Sequence, residues 1–368
     1  MPEKNYIICS IVGTRPQFVK LAAVSREIEN FKNKSFGIKH IIIHSGQHFD
    51  KDMSDSFFSL LGIPYPEINL NIGGGSHGEN TGKMIVSLEK VLIKFKPHLI
   101  FLYGDTDTTL AGSIAASKLN LKICHIEAGL RSRNKNMPEE INRILTDHCS
   151  DLLFCPTNIA VKNLISEGID NKKLLLVGDV MYDNFLYYKK FKVTPSIFSL
   201  EAPKDFVFCT IHRAENTSNR KKLSTILKFL NQLGEQNKII FPLHPRTRKI
   251  MEKYKEKLTE NILLTAPFTL FETFWLLEKA EFIITDSGGL QKEAFFAKKK
   301  CITLREETEW TELLEMGVNL LVPPNSKNKI ERIETFKKTK PNFNVKPFGN
   351  GRAAKKILDI SITCLETL

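Results

Sequence analysis

The chain has 368 residues, of which 42% are hydrophobic and 26% charged, and 53 Lys and Arg against 41 Asp and Glu give a formal charge of +12. This length calls for about two domains, and the composition excludes collagen-like, disulfide-scaffold and wholly disordered chains. A basic balance suits nucleic acid, anionic lipid or a phosphorylated small ligand. However, the lysines are dispersed, no RNP, zinc-finger or basic-zipper pattern occurs, and no apolar run approaches the roughly 18–20 residues that span a bilayer, so neither nucleic acid nor membrane is an expected partner.

Short β-rich runs alternate with helical patterns from the start. Residues 6–12 read as a strand and 17–28 as a helix with Val19, Ala22 and Ala23 on one face. A strand at 39–44 follows, then helices near 51–61 and 82–95. Strands at 98–103, 122–126 and 152–155 alternate with helices at 109–118 and 139–150. The rhythm restarts with strands at 174–177, 206–210, 238–243, 262–265, 282–285, 300–304 and 319–322. The tail after Asn350 reads as a helix with Ala354, Ile357 and Leu358 on one face. Such βαβα alternation predicts parallel sheets covered by helices on both faces. The expectation is an α/β fold of two Rossmann-like, doubly wound domains. The aromatic and basic segment over 180–203 marks their boundary. Such sheets bind ligands at the carboxyl ends of their strands, which places the active site in the interdomain cleft. Seven cysteines, an odd number without a CxxC pair, read as reduced thiols of a cytoplasmic protein. No signal-peptide apolar region precedes Tyr6.

Several strand ends carry residues suited to chemistry. After the first strand, Arg15 and Lys20 flank Pro16 at a helix start, where backbone N–H groups favour anions. No GxGxxG fingerprint is present, so no dinucleotide cofactor is expected, and the glycine stretch from residue 73 fails as a P-loop because His77 and Met84 occupy positions that require Gly and Ser/Thr. Asp105 ends one strand, Glu127 the next, and Glu139 opens a helix after Pro138. Asp107 or Thr108 suits a helix N-cap, and Glu139 is spaced to pair with Arg143. Three carboxylates at one sheet edge push each other's pKa values apart, which prepares an acid and a base. In the second half His212 ends one strand and His244 another. Ser287, Gly288 and Gly289 open a helix whose N–H groups can meet a diphosphate, and Glu293 lies one turn on, placed for ribose hydroxyls. Zinc spacing is absent from these segments, so no metal is expected.

The blocks GTRPQFVK, SGQHFD, GDTDTTLAGSIAA, HIEAGLRS, MPEEINRILTDH, LFCPT, VGDVMYD, IHRAEN and DSGGLQKEA run in order from about residue 13 to 297, with PFGNGRAAKKI near the C-terminus. This ordered set resembles the non-hydrolysing UDP-N-acetylglucosamine 2-epimerases over nearly the full length. The resemblance implies a glycosyltransferase-B-like fold, with a first domain over 1–178, a UDP-binding domain over 179–350, and a C-terminal helix over 351–368 packing back on the first. It implies an isomerase that interconverts UDP-GlcNAc and UDP-ManNAc by anti elimination of UDP to a 2-acetamidoglucal and re-addition, without NAD or metal. By resemblance Asp105, Glu127 and Glu139 are the catalytic acids. Arg15, Lys20 and His212 stabilise the departing UDP, while Ser287, Gly288, Gly289 and Glu293 hold the nucleotide. Gln47, Arg213 and His244 match a second, activating UDP-GlcNAc site, although an arginine the family supplies for it near residues 71–83 is not evident. The family's members are commonly dimers that supply N-acetylmannosamine-type sugars for surface polysaccharide. Where better-known members have Arg-Pro, this chain has Trp310-Thr311. That block and GGGSHGENTG resemble the branch acting on UDP-2,3-diacetamido-2,3-dideoxy-glucuronic acid, the alternative substrate. A hydrolysing epimerase, a glycosyltransferase of the same fold using Asp105-Thr106-Asp107, and a non-catalytic UDP-sugar or nucleic-acid binder are the remaining readings. The clustered carboxylates speak against the last, because a phosphate binder gains nothing from them.

Overall fold

A computed structural model describes residues 4–31, 36–47, 58–198, 203, 205–243, 245–254 and 257–367. Most of the helix expected near 51–61, the residues His48 to Asp50, and His244 lie outside the described residues. The central strands are apolar at almost every position because helices cover both faces of their sheets, which leaves no side on which a polar residue meets water. Leu99–Tyr103 is buried at all five positions, and Phe206–Thr210 at its first four.

The chain divides into two compact units, Met1–Asn184 with Pro347–Leu368, and Phe185–Lys346. In the first, strands β1 (Lys4–Val12), β2 (Phe36–His44), β3 (Ile68–Asn69), β4 (Leu99–Tyr103), β5 (Lys122–Ile126), β6 (Leu152–Cys155) and β7 (Leu174–Leu176) form one parallel sheet in the order β3-β2-β1-β4-β5-β6-β7. Its core joins Cys9, Ile11, Ile41 and Ile100 of the strands to Met84, Leu88 and Leu92 of helix His77–Phe95. In the second, β8 (Phe206–Thr210), β9 (Lys238–Pro242), β10 (Ile262–Thr265), β11 (Phe282–Thr285), β12 (Lys300–Thr303) and β13 (Asn319–Leu321) form a parallel sheet in the order β10-β9-β8-β11-β12-β13. Both sheets therefore reverse direction beside their first strand, between β1 and β4 and between β8 and β11. A crevice opens at the carboxyl ends of strands at such a reversal, so the fold itself designates the loops after β1, β4, β8 and β11.

Three local results differ from the sequence expectation. β3 is too short to carry a period-2 signal. Helix His77–Phe95 begins before residue 82 despite its glycines, because Ser76 caps it by accepting from the Glu79 N–H. Thr106, rather than Asp107 or Thr108, caps helix Asp107–Lys118, which frees the Asp107 carboxylate for other contacts. The C-terminal helix Ala353–Glu366 packs on helix Arg15–Asn30, and Asp183 Oδ2 accepts from the Ala354 N–H at 2.8 Å. All seven cysteines are free thiols, with Cys9, Cys124, Cys155, Cys209 and Cys301 buried. Among the described residues no helix is long and apolar enough to cross a membrane.

Candidate active site

The first reversal point is built around one buried glutamine. Gln17 Oε1 accepts from the N–H groups of Gly13 (2.8 Å) and Thr14 (3.1 Å), and its Nε2 donates to the carbonyl of Tyr103 and to Thr109 Oγ1, both at 2.9 Å. The loops after β1 and β4 are thereby tied side by side. Arg15, half-buried, opens the helix after the first loop, and Lys20 lies buried one turn on. Lys20 Nζ is 2.7 Å from Glu127 Oε2, and both side chains are nearly closed to solvent. Gly104 adopts φ +63°, and a Cβ there would sit 3.0 Å from Lys20 Nζ. Only glycine gives the chain that turn and the ammonium that space. Glu127 itself holds φ +74°, an outlier for a non-glycine residue, and such strain persists where surrounding structure over-determines it.

Asp105 follows Gly104, and its Oδ2 lies 2.6 Å from Arg143 Nη1. Burial pushes the Asp105 carboxyl above its ordinary pKa against the lowering effect of Arg143 and Lys20, and Glu127 and Glu139 add to the rise. Glu139 is exposed at the start of helix Pro138–Cys149. Arg143 does not pair with Glu139 as its spacing suggested. Its Nε and Nη2 instead donate to buried Glu140, at 3.0 and 2.7 Å. Glu140 also accepts from the N–H groups of Ser132 and Arg133. Burial raises its pKa, but these hydrogen bonds outweigh that and hold it below the usual carboxylate range. The two carboxylates of Asp105-Thr106-Asp107 have separate partners, since Asp107 faces His77 Nδ1 (2.7 Å) and Asn142 Nδ2 (3.2 Å). Among the described residues no group of three or more His, Cys, Asp or Glu is arranged to hold a metal ion. Gln47 accepts from Thr108 Oγ1 at 2.7 Å, at the start of the helix that follows β4.

At the second reversal point Asp286 does what Gln17 does at the first. It directly follows β11 and accepts from the N–H groups of His212 (3.1 Å) and Arg213 (3.0 Å) and from Asn216 Nδ2 (3.0 Å), all after β8. His212 is largely exposed, with Nδ1 3.6 Å from Asp286 Oδ1, and Arg213 Nη1 lies 3.9 Å from Glu215. Ser287 caps helix Gly288–Phe296, and its own N–H is taken by Thr285 Oγ1 at 2.9 Å, so the N–H groups on offer at this helix start belong to Gly288 and Gly289. A Cβ at Gly288 would strike Glu309 Oε1 at 2.3 Å. One at Gly289 would meet nothing nearer than Ser287 Oγ at 3.9 Å. The chain's own packing thus does not call for glycine at 289, and the helix start is open there. Glu293, half-buried one turn on, is pushed up to about 7 by desolvation, with Lys292 opposing. Lys292 is buried with Nζ 4.1 Å over the Trp310 ring. Fully buried Arg305 donates to Glu309 Oε2 at 2.8 Å.

The structure thus gathers Lys20, Asp105 and Glu127 in the first unit, with Arg15 and Glu139 on adjoining helix starts. In the second it gathers His212, Arg213, Ser287, Gly288, Gly289 and Glu293. Sequence reasoning assigned no role to Gln17, Glu140, Asn142 or Asp286. Gln17 was within reach, because Thr14 followed three residues later by Gln is a capping-box pattern.

Comparison with known proteins agrees over almost the whole chain. The model of the family described as UDP-N-acetylglucosamine 2-epimerase matches residues 30–361. The UDP-N-acetylglucosamine 2-epimerase homolog of Methanococcus maripaludis is 47% identical, over 96% of this chain and 98% of that one. The UDP-2,3-diacetamido-2,3-dideoxy-D-glucuronate 2-epimerase of Pseudomonas aeruginosa is 44% identical over the same shares. The crystal structure of Methanocaldococcus jannaschii UDP-GlcNAc 2-epimerase with UDP-GlcNAc and UDP superimposes with a TM-score of 0.88 at 42% identity, covering 97% of this chain and 99% of that one. The glycosyltransferase SnogD of Streptomyces nogalater, 10% identical with a TM-score of 0.56, shares the glycosyltransferase-B-like fold alone.

Proposed function

The chain belongs to the UDP-N-acetylglucosamine 2-epimerase family and is an isomerase, and from that premise we propose that it interconverts UDP-GlcNAc and UDP-ManNAc without net hydrolysis. The observation that carries this reading is the set of carboxylates at the first reversal point, where Glu127 is paired with Lys20 and Asp105 with Arg143. The hydrogen on C2 of the sugar is not next to a carbonyl, so simple deprotonation is unattractive. Elimination avoids the problem. The C2–H and C1–O bonds break, a C1–C2 double bond forms, and UDP departs with the electron pair. On return the UDP oxygen re-forms its bond to C1, and a proton reaches C2 from the opposite face. The sequence is redox-neutral and needs proton-holding groups as well as cations for the leaving diphosphate. Asp105, with its raised carboxyl, suits the holding of a proton between the half-reactions, and Glu127 and Glu139 complete the set.

In this reading Arg15, Lys20 and His212 stabilise the leaving UDP. Ser287, Gly288, Gly289 and Glu293 take the nucleotide, with ribose hydroxyls on Glu293. Gln47, Arg213 and His244 remain assigned to a second UDP-sugar. The protein acts as a cytoplasmic homodimer, a state that light scattering on the purified chain checks directly.

A second reading, with UDP-2,3-diacetamido-2,3-dideoxy-glucuronic acid as substrate, is favoured by Trp310 stacked on Lys292 in place of the expected arginine and by the Pseudomonas relative. Proton NMR in D2O with each sugar separately decides between them. Deuterium at C2 with a manno product names the substrate, and exchange on neither sugar overturns both readings. Asp105→Asn is expected to lower kcat by about 10²–10⁴-fold while UDP still binds. Full activity in that variant removes Asp105 from the chemistry.

A further inference from the structure

Behind the carboxylates lies an ion network, buried at His125, Asp147 and Arg131, that the reaction as described does not use. His125, on β5 two residues before Glu127, has no solvent exposure. Its Nδ1 is 2.6 Å from Asp147 Oδ1, and its Nε2 is 2.7 Å from the carbonyl oxygen of Gly104. A carbonyl oxygen has no proton to give. Asp147 has none either. The Arg131 guanidinium in contact with it keeps it a carboxylate. Its second oxygen accepts from the Gly129 N–H (3.1 Å) and from Arg131 Nη1 (2.7 Å). A neutral imidazole carries a single N–H and would set a lone pair against an acceptor at one of these contacts, where no water can intervene.

We propose that His125 is a positioning residue for the epimerisation, donating from both ring nitrogens to clamp the Gly104–Asp105 turn from behind. The inference rests on the epimerase reading for its kinetic consequence. The charges that face the ring support it. Asp147 is in direct contact, Arg131 lies beyond it, and Glu167 closes the chain by accepting from Arg131 Nε and Nη2 at 2.7 and 2.6 Å. His148 Nε2 stands 3.7 Å from the outer side of Glu167. With two cations and two anions through Glu167, a doubly protonated ring is neutralised inside the network, whose outer end reaches solvent at Glu167. The clamp acts at one defined point. Gly104 is in the left-handed region, so the carbonyl that His125 grips sets the plane of the peptide leading into Asp105. That peptide is trans, and its N–H lies on the side away from the buried network. Asp105 is thus fixed twice, through its backbone by His125 and through its carboxylate by Arg143 at 2.6 Å.

The test uses the full chain labelled with ¹⁵N-histidine, without substrate, at pH 8. The expected spectrum shows a proton on each ring nitrogen of one buried histidine, identified by its loss in His125→Gln or, if that variant does not fold, by its displacement in Asp147→Asn. An unprotonated ring nitrogen at His125 overturns the proposal. In the kinetic arm, His125→Gln and Asp147→Asn are expected to lower kcat about 100-fold, the scale of a misplacement near 1 Å, with UDP affinity unchanged. Values of kcat within twofold of the parent in a folded variant also overturn it. Because ring protonation is read on the resting protein, a chain that epimerises neither sugar would refute the function without touching that measurement.

Discussion

Arg143 is the residue on which the first unit's carboxylates turn. One guanidinium serves Asp105 on one side and Glu140 on the other, a task the planar fork of arginine can perform and a single ammonium cannot. Arg143→Met leaves Glu140 buried with only the Ser132 and Arg133 N–H groups and the Ser132 hydroxyl as donors, and no cation. A loss of about 3–5 kcal/mol is expected in urea denaturation, and the acidic limb of kcat/KM moves to higher pH because Asp105 loses its largest stabilising charge. A stability loss near zero would mean that Glu140 needs no cation. At the nucleotide end Glu293 is pushed up to about 7 by desolvation. The carboxylate form, which accepts from hydroxyls, therefore dominates at pH 8, and only about a tenth remains at pH 6. UDP affinity is expected to weaken roughly tenfold between those values, and Glu293→Gln is expected to lack this component. Identical pH profiles for parent and variant would remove Glu293 from the ribose site. The strand-end carboxylates were legible in the sequence because residues at the ends of apolar runs are easy to place. Their partners were not, because Arg143 lies 38 positions from Asp105 along the chain and its choice of Glu140 over Glu139 depends on which helix face is buried.

At the scale of elements, each sheet holds its reversal point together with one buried polar side chain, Gln17 in the first and Asp286 in the second. Strand order creates the crevice, and these stitches keep the two loops that flank it in register. A second junction joins Asp183 of helix Val180–Tyr188 to the first turn of the C-terminal helix. Desolvation pushes the Asp183 carboxyl up to about 6 against the Ala354 and Ala353 N–H groups. The folded value lies above the ordinary aspartate value. The stability Asp183 contributes is therefore fully present below the ordinary aspartate range and is lost as pH rises through about 6. Asp183→Asn keeps an acceptor for the Ala354 N–H without the charge. Its Tm is expected to exceed the parent's at pH 8 and to match it near pH 4, and an unchanged or lower Tm at pH 8 would contradict the shift. The strands themselves follow from hydrophobic runs and turn residues. Their order does not, because all five-residue apolar runs look alike until helix packing sets which of them are neighbours.

For the whole molecule, the charge of +12 predicts attraction of an anionic nucleotide sugar that added salt screens. KM is expected to rise with ionic strength while kcat changes little, and to rise more steeply for a uronate-bearing substrate than for UDP-GlcNAc, since it carries one more negative charge. A flat KM between about 10 and 200 mM salt would show that the net charge is unrelated to substrate capture. The sequence by itself determined the α/β class, the alternation of strands and helices, the free thiols and the epimerase family, because each rests on local periodicity or on ordered blocks that need no knowledge of distant contacts. Only the tertiary structure decided that Lys20 pairs with Glu127, that Arg143 bridges Asp105 and Glu140, that Gln17 and Asp286 stitch the two reversal points, and that His125 sits between Asp147 and Gly104. The physical reason is common to all of them. A buried polar group must find a partner wherever the fold brings one, and the identity of that partner is fixed by strand order and burial rather than by spacing along the chain.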